Sequence, residues 1–239
     1  MKTYLAALII AVAILPATSF SQLGKLKNLV SKGSSSGVTE NEAGQGIKEA
    51  LAKGVTTAVL NLNKTDGFFG SNIYKMLLPP DAQKIETTLR KAGMGAQVDK
   101  AILAINRGAE DAVGFAKDIF ISAIKEMTLT DALNILKGNK DAATQYFKQK
   151  TSEKLIAAFT PSVKSSLDKV EATKYYGDIV TKYNSFPTTF KKVNPDLPSY
   201  VVGKSVDALF DQVAKEEANI RDNPMARTSE ILKKVFGSK

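Results

Sequence analysis

The sequence predicts an all-α fold: a single-domain orthogonal bundle of about eight to ten helices that follows a cleaved signal peptide. Three observations carry this. Apolar residues recur at steps of three, four and seven through almost the whole chain after residue 40. The prolines after residue 40 fall between these periodic segments or at their first turn, and Gly67, Gly70, Gly93, Gly95, Gly114 and Gly138 fall between them. No window of β-branched alternation is long enough to compete as a strand.

The first segment is a targeting signal rather than part of the fold. Lys2 supplies a positive start, Leu5 to Leu15 is an unbroken apolar run, and Pro16 to Ser21 supplies the small residues a signal peptidase needs. The run is well short of the roughly 20 residues of a spanning helix, so residues 1–21 read as a signal peptide with Gln22 as the mature start, and no transmembrane segment is expected after cleavage. Residues 22–38 hold Lys25, Lys27, Lys32 and the run Gly33 to Gly37, a basic Gly/Ser leader. The helical domain is expected over 39–239.

Thr39 and Glu42 have capping-box spacing, and Ile47, Leu51, Ala58 and Leu62 continue a helix over 40–62. Residues 63–78, with Asp66-Gly67, Gly70 and two phenylalanines before Pro79-Pro80, are the longest irregular stretch after the leader. Helices are then expected from Pro80 to Ala92, from Val98 to Ala112, and from Phe115 to Met127, with breaks at Gly93-Met94-Gly95 and Gly114. Thr128 caps a short helix carrying Leu129, Leu133 and Leu136, which Gly138 closes. Another opens at Asn139 or Lys140 with Ala142, Ala143, Tyr146 and Phe147 inward, Ser152 caps a stretch from Leu155 to Phe159, and Pro161 suits the first turn of Ser162 to Val170. Tyr175, Ile179, Val180 and Tyr183 stripe a further helix. After the proline-broken segment 186–198, a long helix runs from Ser199 to Arg221, and Thr228 to Phe236 makes a last short one. No internal repeat of solenoid length is present.

Composition excludes much chemistry. With no His and no Cys the chain has no imidazole base, no thiolate nucleophile, no disulfide and no His- or Cys-ligated metal. Loss of Lys2 takes the formal +9 to about +8, and the excess is nearly all lysine, with arginine only at 90, 107, 221 and 227. Bidentate phosphate recognition uses arginine, so nucleic acid is not an expected partner. No metal or cofactor is expected: the segment 61–72 lacks the acidic spacing of a calcium loop, and Gly93-Met94-Gly95 follows a helix where a dinucleotide fingerprint follows a strand.

Several segments together resemble a known family. They are Asp66-Gly67-Phe68, Gly93-Met94-Gly95, Asn106-Arg107 with Glu110, Asp141 to Phe147 with Lys150-Thr151, Glu216-Glu217 with Ile220-Arg221, Asn223-Pro224, and Leu232 to Gly237. The pattern is similar to that of the exported bacterial helical proteins catalogued as domain of unknown function 4197, over nearly all of the chain after the leader. Asp141 to Phe147 is its most specific piece, and Gly114 departs from it where a proline is expected. The resemblance implies an exported, all-helical, single-domain protein and supplies no activity, substrate or catalytic residue.

The polar constellations then give the candidate ligand or partner residues. On a helical wheel Ala142, Ala143, Tyr146 and Phe147 face inward, which leaves Asp141 at the helix N-terminus against the dipole and Tyr146 as the residue to stand at the lip of any pocket. Asn106, Arg107 and Glu110 crowd an otherwise apolar helix; Arg107 lies opposite the apolar stripe, so a solvated ion-pair face with Glu110 and Asp111 is expected. Glu216 and Glu217 flank the stripe of the long helix, where Arg221 offsets desolvation of Glu217 in a salt bridge. Tyr175, Tyr176 and Tyr183 beside lysines could stack on sugars, but burial of Tyr176, Val180 and Tyr183 with hydroxyls at the edge is the simpler reading.

No catalytic residue is assigned. The expected function is that of an exported, non-catalytic binding or interaction domain in the cell envelope, periplasmic or secreted, whose partner is an envelope protein or an anionic envelope component. The alternative is a carboxylate-dependent hydrolase of envelope polymers using Glu110, Glu216 and Glu217.

Overall fold

Thr39 forms the capping box its spacing predicts: its hydroxyl accepts from the Glu42 backbone N–H at 3.2 Å, and the Glu42 carboxylate accepts from the Thr39 N–H at 2.9 Å. Helix α1, Glu40–Leu62, starts there. This computed structural model describes residues 39–91, 93–185, 187, 191–223, 225 and 233, all within the compact unit Val38–Lys239. The expected signal peptide and leader, and nearly all of the expected helix over 228–236, lie outside the described residues.

The chain is all-helical. A 3-10 turn at Pro80–Ala82 leads into α2, Gln83–Lys91, followed by α3, Gly95–Val113, α4, Ala116–Glu126, and α5, Leu129–Lys137. Then come α6, Ala142–Asp168, α7, Ala172–Ser185, and α8, Leu197–Asp222. Eight α-helices among the described residues agree with the expected architecture, and no described residue is in a strand. Thr128 and Asp131 make a second capping box for α5, and Asp196 caps α8 through the Ser199 N–H at 3.0 Å.

Helix α6 lies at the centre, against α3 on one side and α8 on another, and α8 also packs on α1. It replaces three of the expected segments by one helix, about 40 Å long at 1.5 Å per residue. The reason is visible in its buried row: Ala143, Phe147, Thr151, Leu155, Phe159, Val163 and Leu167 follow one another at steps of four. Each such step advances the side chain by about 40°, so the row migrates about two-thirds of a turn from one end to the other. A stripe that winds in this way meets different neighbours along its length and reads, in short windows, as separate helices. Ser152 and Thr160 act as back-bonded interior residues rather than caps, donating to the Lys148 and Ile156 carbonyls at 2.6 and 2.7 Å. Gly108 permits the close α3–α6 crossing, since a Cβ there would sit 3.1 Å from the Ser166 side chain.

The core is built on Phe68, Phe120, Phe147 and Phe159, all fully buried, with Phe120 edge-on to Phe147 at 5.0 Å between ring centroids. A smaller cluster of Ala43, Ile47, Met127, Ala132, Ile135 and Ala143 closes the end where α1, α5 and α6 meet. In α5 Ala132 and Ile135 are buried, and Leu133 and Leu136 pack half-buried against the same cluster. The reading of α7 agrees with the structure: Tyr176 and Val180 are buried, Tyr183 packs on the core and Tyr175 is exposed.

Pro161 sits on the exposed side of the α6 interior, where it removes the N–H that would otherwise bond the Ala157 carbonyl. Pro161→Ala is therefore expected to stabilise the fold by about 1–3 kcal/mol. Urea unfolding monitored by circular dichroism measures this, and an unchanged or lowered midpoint would contradict it.

Candidate functional site

Among the described residues Glu217 is the most heavily hydrogen-bonded side chain. Its carboxylate, 5% exposed, accepts from the backbone N–H groups of Ala143 at 3.0 Å and Thr144 at 2.9 Å, and from the Thr144 hydroxyl at 2.8 Å. Arg221, one turn along α8, donates to the same carboxylate through Nε at 3.1 Å and Nη2 at 2.8 Å, and through Nη2 also to the Ile135 carbonyl at 2.9 Å. The first turn of α6 leaves its N–H groups without intrahelical acceptors, and a residue 73 positions away supplies one. Glu217 is thus the cap of α6, and Arg221 ties the C-terminal end of α5 to the same point. Asp141, expected at that helix start, is there, but its carboxylate accepts from the Gln145 side chain at 2.9 Å and makes no cap bond.

A parallel arrangement stands on α3. Glu110, buried, accepts from the backbone N–H groups of Phe68 and Phe69, both at 3.1 Å, and from Arg107 Nη1 at 2.6 Å. Arg107 Nη2 reaches Asp66 at 2.8 Å. Asn106, fully buried, accepts from the Met76 N–H at 2.8 Å and donates to the Met76 carbonyl at 2.8 Å. The expected solvated ion-pair face is therefore corrected to a buried polar network. The irregular segment 63–78 folds back over α3, and its backbone groups require the partners these three side chains provide. Asp111 stays exposed and outside the network. Gly67 belongs to the same turn, where a Cβ would collide with the Leu62 carbonyl.

The two networks keep the candidate carboxylates apart. Glu110 is committed to the 66–69 turn and Glu217 to α6. Glu216 lies on another side of α8, toward Gly54 of α1, and burial raises its carboxyl pKa while Asn219 and Lys53 pull it down. Glu110, Glu216 and Glu217 thus do not converge as acid and base across a scissile bond. Tyr146 is half-buried, its ring edge-on to Phe147 at 5.8 Å and its hydroxyl 3.4 Å from the Ala123 carbonyl; it lines neither of the two larger cavities. Among the described residues no group of three or more carboxylates could hold a metal ion.

An apolar-walled cavity lies elsewhere, between α2, α3 and the start of α7, with a volume of about 220 Å³. Ile85 and Leu89 of α2, Met94, and Val98 and Ala101 of α3 give it an apolar wall, which Ala172 and the Tyr176 ring complete. Gln97, Lys100, Glu171 and Tyr175 are its polar groups. The Tyr175 hydroxyl donates to Glu171 at 3.1 Å, and Lys174 lies 3.7 Å from the same carboxylate. Lys100 makes no ion pair among the described residues. Sequence reasoning singled out the tyrosines but not Lys100 or Gln97, and placed Met94 only in the Gly93-Met94-Gly95 turn; the adjacent aromatic pair at the start of α7, one ring inward and one outward, is the signal that points here.

A model of the family described as "Protein of unknown function (DUF4197)" matches residues 37–237. The chain belongs to this family. The match covers every helix described above, including both buried carboxylate networks and the α2/α3/α7 cavity. No curated protein and no solved structure gives a significant match to the chain. Membership is therefore consistent with the all-helical domain and leaves the activity to be argued from the site.

Two outcomes follow for these groups. Glu217→Gln keeps the shape but loses charge and one acceptor against Arg221 and Thr144, so it is expected to destabilise by about 3–5 kcal/mol, whereas Glu216→Gln is expected to change stability by less than about 1 kcal/mol. Denaturant melts of the two variants decide this, and equal effects would refute the capping role. Tyr176 donates its hydroxyl to the Asn194 carbonyl at 3.1 Å, and burial pushes its pKa from 10.0 up to about 12. A raised folded pKa means the contribution is complete below pH 10 and is lost as pH climbs toward 12. Titration of phenolate absorbance should find Tyr176 among the last of the seven tyrosines to ionise, and Tyr176→Phe should flatten the alkaline fall in Tm.

Proposed function

We propose that the chain is an exported, non-catalytic binding domain of the cell envelope that takes the apolar end of a small anionic amphiphile in the α2/α3/α7 cavity. The observation that carries this reading is the cavity itself. Its wall is apolar, and its volume of about 220 Å³ suits one short alkyl chain rather than a whole lipid. Lys100 at the same site supplies a cation whose charge no described carboxylate meets, whereas Glu171 is already engaged by Tyr175 and Lys174. An anionic head beside Lys100 with its chain on Ile85, Leu89 and Ala101 is the occupant that uses both features. The signal-like start with Gln22 as the mature N-terminus, and the lysine excess, support an address where anionic amphiphiles are abundant.

The experiment has three readouts. Mass spectrometry of the chain recovered from fractionated cells should show a mature N-terminus at Gln22 outside the inner membrane. Decanoate, added to the purified protein, should give saturable NMR shifts at Met94, Ala101 and Ala172. Ala101→Leu should abolish them while circular dichroism stays unchanged. Lys100→Gln should weaken decanoate by about two- to fivefold and leave decanol unaffected. Absence of saturable binding by either compound would overturn the cavity reading, and retention of residues 1–21 would overturn export.

A further inference from the structure

A second concavity, independent of the first, runs between the segment 73–83 and α8, with a volume of about 430 Å³. Its floor is one face of α8: Tyr200, Lys204, Ala208 and Asp211 follow at steps of three and four and line it together with Asp207. Its opposite wall carries Ile73, Leu77 and Pro80, with Gln83 at one end. Ile73 and Leu77 are 72% and 48% exposed, an unusual expense of apolar surface beside charged groups.

The groove is thus polar on one side and apolar on the other, and its polar side is ordered. Tyr74 donates its hydroxyl to Asp211 at 2.7 Å and accepts from Lys215 Nζ at 2.7 Å, and Lys215 reaches Asp211 directly at 2.8 Å. This triad neutralises Asp211 and fixes its position. Asp207, one turn earlier and exposed, makes no ion pair among the described residues, and neither does Lys204. The Tyr200 hydroxyl likewise donates to no described residue, although its ring packs against the core. Two carboxylates at i and i+4 repel each other by a few tenths of a kcal/mol. Asp207 and Lys204 stand unspent on a prepared surface.

Charge decides the class of ligand. Lys215 cancels Asp211 and Lys75 is held over the Phe69 ring at 4.2 Å, which leaves Lys204 and Asp207, one charge of each sign, as the groups on the α8 face with no ion pair among the described residues. Beside that pair a free anion or cation would meet both attraction and repulsion. What fits is a neutral body that is itself two-faced: C–H groups on one side, which rest on aliphatic and aromatic surface, and hydroxyls around the edge, which donate to carboxylates and accept from an ammonium and an amide. We infer that this groove is a binding site for a single neutral sugar ring, stacked on the Ile73–Leu77–Pro80 wall and hydrogen-bonded by Asp207, Lys204 and Gln83. Asp211, held by Tyr74 and Lys215, positions the edge of the ring.

Methyl β-glucopyranoside is the probe. Added to the full chain as recovered from cells, it should shift the amides of Tyr74, Met76, Lys204 and Asp207 saturably in the millimolar range. Asp207→Asn and Lys204→Gln, both at exposed positions that leave the core untouched, should each weaken it by about tenfold. Lys100→Gln should leave it unchanged, so failure here is distinguishable from failure of the amphiphile cavity. Glycine and inorganic phosphate serve as zwitterionic and anionic competitors. The inference is overturned if neither variant weakens the glucoside, if no saturable shift occurs, or if glycine or phosphate perturbs these amides more strongly than the sugar.

Discussion

A carboxylate taken out of water must recover several kcal/mol of lost solvation from groups that stay fixed around it, and in this chain those groups include backbone N–H donors that a helix start and a turn leave unpaired. Glu217 accepts two of them from the start of α6, and Glu110 accepts two from the turn at Phe68-Phe69. Each acid therefore solves two problems at once, its own desolvation and the exposed donors of a distant element. Arg221 and Arg107 complete the arrangement by hydrogen-bonding the two carboxylates, and each arginine extends the tie to a third segment, at Ile135 and at Asp66. The Glu217 anchor joins α5, α6 and α8, and the Glu110 anchor joins the 66–69 turn to α3.

These anchors shape what the molecule has left for function. Glu110, Glu217, Arg107, Arg221 and Asn106 are the residues whose type and clustering suggest a site, and all five are consumed in holding the fold together. The surfaces with unspent capacity are the apolar cavity at α2, α3 and α7 and the two-faced groove along α8. Both are lined by residues of ordinary type, such as Lys100, Gln97, Lys204 and Asp207, whose significance comes from what they stand beside.

How far these features were legible in the sequence varies by physical cause. The capping boxes at Thr39 and Thr128, the break at Gly93 and the extent of α8 are local, so spacing alone places them. Helix α6 was not legible as one element. Its buried row winds around the axis, and Pro161 in the exposed flank looks like a start signal although the helix runs through it. Tyr146 was favoured for a pocket lip on a wheel that carries no information about which helix covers it.

The sequence by itself determined the all-helical class, the family, most helix boundaries and the chemistries that are absent, since these follow from periodicity, capping pairs and residue inventory within a few turns of chain. Only the tertiary structure decided that Glu217 caps a helix 73 residues away and that Asn106 and Glu110 clasp the segment 63–78. It also decided where the cavities open. A polar side chain one turn from its partner and one across the molecule have the same local pattern, and burial with its hydrogen-bond accounting distinguishes them only once the helices are packed.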